Sequence, residues 1–154
     1  MKKIIIIIIF SILLNSCGFK KINRDADSSV YIRTINVSGD NRIGYILKNN
    51  ILLISKKGSN KKYDIDIKLK NTRTSKIKDI SGKTIRFNES IALNLVLENI
   101  DNSEKIIKSF TKSRDYDVGK NHTTTIRNQK NSIKNIIEQL SDEIINFLTL
   151  SIKY

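Results

Sequence analysis

Tyr63, Ile65, Ile67 and Leu69 alternate with Asp64, Asp66, Lys68 and Lys70. Only an extended strand sends successive side chains to opposite faces, so the stretch is a half-buried strand with one wet side. Thr84 to Glu98 repeats the pattern, with Ile91, Leu93, Leu95 and Leu97 on one face. The period then changes near the C-terminus. Ile126, Ile133, Ile136, Ile137, Leu140, Ile144, Phe147 and Leu148 form a helical stripe. Its helix is expected to start among Thr123 to Thr125 and to run about 28 residues, or about 42 Å. Such a stripe must find a sheet or another protein to cover it.

The rest of the chain fits around these elements. "SVYIRTINV", Ser29 to Val37, is rich in β-branched residues and reads as a first strand. Its apolar parity shifts between Ile32 and Ile35, which a bulge or burial on both faces accounts for. "SGDN" offers Ser38 and Asp40 as helix N-caps. Ile43, Ile46, Leu47, Asn50, Leu53 and Ile54 follow near helical spacing, with Gly58 placed to end the element. The run Ile51 to Ile54 is also compatible with a strand. Ser103 to Val118 gives a fourth strand, entered through the turn-like "ENIDNSE", so it forms an antiparallel hairpin with the strand before it. The expected fold class is α/β, an α+β sandwich in the order β-α-β-β-β-α, with about four strands in a mixed sheet and two helices packed on it.

The N-terminus carries a different message. Met1, Lys2 and Lys3 form a positive head, and Ile4 to Leu14 is apolar except for Ser11. Eleven helical residues reach only about 16 Å, roughly half of a ~30 Å hydrocarbon core, which suits a secretory h-region better than a membrane span. Leu14, Asn15, Ser16 and Cys17 then resemble a bacterial lipobox, with Asn15 departing from the usual residue at its position. The expectation is a signal peptide over 1–16 and, on Cys17, an S-diacylglycerol and an N-acyl group, with no other cofactor. An ordinary signal peptide with an incidental cysteine is the competing reading. One acyl chain holds a protein only marginally and stable anchoring takes two signals, which this modification supplies. Gly18, in place of an aspartate that retains lipoproteins at the inner membrane, favours the outer membrane. Residues 17–29, including the polar "NRDADSS", are expected to form a leash, and 30–154 a single domain.

A cut before Cys17 in the 154-residue chain leaves 138 residues, enough for one domain with a real core. Dropping Lys2 and Lys3 leaves 26 basic against 15 acidic side chains. So basic a chain seeks an anionic partner. A periplasm-facing lipoprotein does not meet nucleic acid, so lipid phosphates and surface glycolipids are the expected partners. Compositional bias is the bland explanation, since Ile, Lys and Asn are the residues favoured by a genome rich in A and T.

Catalysis is not expected. His122 is the only histidine and Cys17 the only cysteine, so zinc ligand sets and Cys-His chemistry lack parts. Asp64 and Asp66 share one side of a strand, but the interleaved apolar residues mark that side simply as the wet face. Nucleotide-binding glycine patterns and a nucleophile elbow do not occur.

Taken in order, the lipobox with "CGF", a strand, a helix opening near "NRIGYILKN", a meander carrying "RFNESIALNLVL", "SRDYDV" and a long terminal helix resemble the LPS-assembly lipoprotein family LptE. The resemblance runs from Cys17 to about Leu150 and rests on order and pattern, without an invariant signature. It implies an outer-membrane lipoprotein that plugs a large LPS-transport β-barrel, assists its assembly and contacts lipopolysaccharide. It further implies LPS-binding cations on the strand region and near the start of the last helix, where the nearest matches are Arg86 and Arg127, with Lys83 and Lys130 as neighbours. Each also reads as a solvated surface charge. Tyr63 and Phe87 are expected in the core and Tyr116 either there or against the barrel. Interfaces favour Tyr and Arg, which makes Arg114 and Tyr116 the candidate barrel contacts. A freestanding lipoprotein that binds an anionic glycolipid or cell-wall polymer, or that chaperones another secretion pore, is the alternative.

Overall fold

The computed structural model describes residues 30–59 and 61–153. The expected signal peptide, Cys17 and the leash lie outside the described residues. Within them the order is β1 (Val30–Ser38), α1 (Asn41–Leu52), β2 (Lys61–Lys78), β3 (Thr84–Asn99), β4 (Lys105–Asp117) and α2 (His122–Lys153). The strands form one sheet in the order β1-β2-β3-β4. β1 and β2 are parallel, and β2, β3 and β4 make an antiparallel meander. A parallel pair needs a crossover, which α1 provides. The sheet is therefore mixed and the β-α-β-β-β-α order holds as read.

The parity shift in β1 is a bulge. Ile32 pairs with Tyr63 and Thr34 with Asp64, leaving Arg33 without an opposite residue. The extra residue returns Ile35 to the inner side, so Val30, Ile32 and Ile35 are all buried.

Asp40 is the N-cap of α1, its carboxylate accepting from the backbone N–H groups of Arg42 and Ile43. Gly58 does not end this helix. Regular helix stops at Leu52, and Ser55 already bridges to Val30, so Gly58, with a φ of 95°, belongs to the turn beyond. The last helix begins at His122, a residue before the expected start, because Asn121 caps it by accepting from the Thr124 N–H at 2.8 Å.

Both helices lie on one face of the sheet. A single core joins Ile43, Leu47 and Ile51 of α1, the inner residues of all four strands, and Ile136, Ile137, Leu140, Ile144 and Leu148 of α2. α1 docks closely because glycine stands at two contacts. A Cβ on Gly39, whose φ is 112°, would lie 2.0 Å from the Leu69 carbonyl oxygen, and one on Gly44 would lie 2.6 Å from a Val37 methyl. The helices touch where Asn50 Nδ2 donates to Ser141 Oγ at 2.9 Å.

The other face carries no helix among the described residues and is polar. Arg33 pairs with Asp64, Asn36 donates to Asp66, Lys105 pairs with Glu98, and Ser109 donates to Asn94. These are side chains of neighbouring strands, so the wet face is a ladder of cross-strand pairs.

β2 is longer than its alternation suggests. The polar tail "NTRTSKIK" continues the strand to Lys78 because it pairs with the first half of β3. At about 3.3 Å per residue the 18 residues of β2 span close to 60 Å. β1 pairs with only its first half, so the sheet has a four-stranded base at Val30 and a narrower distal end at the β2–β3 turn.

Candidate functional site

Two features at the distal half bring chemistry together. The first is the β2–β3 tip with the start of α2. Asp79 holds the turn, its Oδ1 accepting from Ser81 N, Ser81 Oγ and Lys83 N at 2.6–3.0 Å. These bonds, chiefly that of the Ser81 hydroxyl, hold the Asp79 carboxyl below its ordinary range. Ile77, Ile80 and Ile85 are exposed around this turn, Ile80 fully.

One step down the ribbon, Arg86 Nε donates to Asp117 Oδ1 at 2.6 Å, which raises the affinity of its guanidinium for its proton. The Asp117 carbonyl accepts from Asn128 Nδ2 at 2.9 Å. Asp117 thus ties Arg86 to the residue next to Arg127. Arg127 and Lys130 are exposed on α2, three residues apart on one helical face. Lys83 stands in the turn itself. The four basic positions singled out from the sequence accordingly form two pairs, Lys83 with Arg86 on the hairpin and Arg127 with Lys130 on the helix, linked through Asp117.

On the inner side of the same ribbon lies a cluster that the sequence reading missed. Arg73 sits with its guanidinium carbon 3.7 Å from the centroid of the Phe87 ring, and Phe87 stacks on Tyr116 at 5.7 Å. Tyr116 is buried, 6% exposed, so its ring belongs to this stack and not to a partner-facing surface. Burial also raises its phenol above the ordinary value. Arg114 is exposed, while its carbonyl accepts from Ser132 Oγ on α2. Glu89 is 1% exposed and accepts from Gln129 Nε2 at 3.2 Å. Glu89 shares its cross-strand row with Arg73 and Arg114. The signal for Arg73 was faint because it lies past the clean alternation, in the polar tail of β2.

The second feature is a groove of about 860 Å³ between the N-terminal halves of α1 and α2. From the contact at Asn50 and Ser141 the helices part toward their N-termini. Ile43 and Ile46 wall one side and Ile133 and Ile137 the other, with Asn71 of β2 beneath. Arg42 and Lys130 stand at its rim, and neither side chain has a partner among the described residues.

Among the described residues no group of three or more His, Cys, Asp and Glu is placed to hold a metal ion, and no helix is long and apolar enough to cross a membrane.

No family model and no curated protein matches the sequence. Solved structures do share the fold. A protein of Caulobacter crescentus described as a lipoprotein superposes with a TM-score of 0.59 at 18% identity, over 79% of this chain and 90% of that one. Rare lipoprotein B of Shewanella oneidensis gives 0.59 at 11% identity, over 77% of this chain and 95% of that one. A protein of Nitrosomonas europaea described as an uncharacterized lipoprotein B gives 0.59 at 13% identity, over 79% and 82%. At such identities the likeness is one of fold.

Proposed function

We propose that this chain is an LptE-like lipoprotein. In this reading it is anchored in the outer membrane through lipid on Cys17, plugs and helps assemble the LPS-transport β-barrel, and contacts lipopolysaccharide on its way to the surface. The supporting observation is an architecture shared with lipoproteins over more than three quarters of the chain. The sheet's bare face suits the role. A wide barrel has a polar, wet lumen, in which a polar face of cross-strand pairs and solvated lysines can stand.

The polarity of the molecule suits it as well. The chain enters the fold at Val30, beside Lys61, while Lys83 and Arg86 lie at the opposite end of the long hairpin. A tether at the base leaves these cations reaching away from the anchoring leaflet. Arg86, Arg127, Lys83 and Lys130 are the proposed LPS contacts, because phosphates are held by guanidinium forks and attracted by ammonium charges. Arg114 is the proposed barrel contact; the burial of Tyr116 removes it from that role.

Mild-detergent affinity purification of the tagged full-length protein from its own membranes tests the reading. Recovery of one large outer-membrane barrel at near-equal stoichiometry is expected. Recovery of the protein alone would sink the plug role and leave an unaccompanied lipoprotein that binds an anionic glycolipid.

A further inference from the structure

The groove between α1 and α2 is built for a particular kind of molecule. Its walls are branched aliphatic side chains, with Ile43 and Ile137 buried and Ile46 and Ile133 facing the open space. Its volume of about 860 Å³ lies in the range of small-molecule sites, about 300–1,000 Å³.

The rim decides the charge of that occupant. Two carboxylates line the groove and both are engaged, Asp40 with the backbone N–H groups of Arg42 and Ile43, and Glu138 with Lys134 at 3.8 Å. Arg42 and Lys130 remain without partners among the described residues. Backbone hydrogen bonds leave Asp40 its charge, so the lining sets Arg42, Lys130 and Lys134 against Asp40 and Glu138, and an aliphatic slot lies beside a mouth of net positive charge.

We propose that this groove binds a single acyl chain bearing an anionic head, with the chain along Ile46, Ile133 and Ile137 and the head between Arg42 and Lys130. The occupant is a free amphiphile of the fatty-acid class. Such a site does not depend on the barrel-plug role, and it gives Arg42 a use that the LPS contacts do not.

The full-length protein in its own isolated membranes tests the proposal. Photoreactive benzoylphenylalanine replaces Ile46, or, in a control, Ile107 on the bare sheet face. Membranes are incubated with perdeuterated palmitate and irradiated, and the digested protein is weighed. An adduct carrying the deuterium mass is expected at position 46 and not at 107. Combining Arg42→Glu with Lys130→Glu is expected to lower it about fivefold or more. Equal labelling at the two positions would mean partitioning of palmitate into the membrane and would overturn the proposal. So would a cross-link at position 46 to a polypeptide with no palmitate adduct.

Discussion

Asn50 and Ser141, 91 positions apart, are joined by a 2.9 Å hydrogen bond at the point where the two helices meet. Ser141 passes the bond on, donating to the Ile137 carbonyl at 2.7 Å. The pair fixes the apex from which the groove opens, although each helix would dock on the sheet through its isoleucines alone. Asn50→Ala is expected to cost about 1 kcal/mol in urea unfolding, the size of one such bond. A loss above about 3 kcal/mol would mean that the helices are held by this contact and not by the core.

Leu140 is fully buried at the centre of the α2 stripe. Leu140→Ala is expected to destabilise by about 2–5 kcal/mol, because the surrounding strands cannot collapse into the space. Ile80, at the hairpin tip, is fully exposed. Ile80→Ser is expected to change stability by less than about 0.5 kcal/mol, so paired denaturation curves of the two variants separate core from tip.

Tyr116 Oη is buried beside the Arg73 guanidinium with no hydrogen bond of ordinary geometry. Removing the hydroxyl while keeping the ring takes away an unmet polar group and retains the stack on Phe87. Tyr116→Phe is accordingly expected to be neutral or to stabilise by up to about 1 kcal/mol. A clear loss in the denaturation midpoint would assign the hydroxyl a partner.

Among the described residues, three carboxyls are held below their ordinary range. Asp64 is lowered first by its bond from Arg33, then by Thr34; Asp79 chiefly by the Ser81 hydroxyl; Asp115 by Lys76 and then Asn88. The unfolded chain takes up these protons at a higher pH than the folded one, so the stability they contribute is present above about pH 4–5 and is lost as pH falls through the folded values. Urea midpoints are expected to agree at pH 7 and 5.5 and to drop below about pH 4, with Asp64→Asn flattening part of the fall.

Gly39 and Gly44 permit the close seat of α1. Gly39→Ala puts a Cβ onto the Leu69 carbonyl at a positive φ, and is expected to cost more than about 2 kcal/mol. Circular dichroism melting of the variant checks it, with an unchanged midpoint counting against the tight seat.

The sequence was most legible where one face is buried along a whole element. The alternations of β2 and β3 and the stripe of α2 carry their period in apolar residues, and the bulge of β1 announced itself as a parity shift between Ile32 and Ile35. Legibility failed where pairing, not burial, decides. The tail of β2 from Asn71 to Lys78 has little to bury, and only its partner strand holds it extended. The same blindness hid Arg73, whose aromatic partners come from β3 and β4. Arg42 and Asn71 could not be placed together from the sequence either, because the groove exists only once two helices and a strand have found each other.

The hairpin of β2 and β3 has a further consequence, in time. Its strands are separated by only five residues, 79–83, whereas β1 must wait for α1 to cross over before it can pair. Hairpins close in about 1–10 μs, and pairings between distant segments come later because loop closure must be met first. The β3–β4 connection, 100–104, is equally short, so the meander β2-β3-β4 is expected to be the folding nucleus, with β1 and α2 docking onto it. A chain arriving unfolded at a membrane would shape its three-stranded meander before β1, the strand by which it is held.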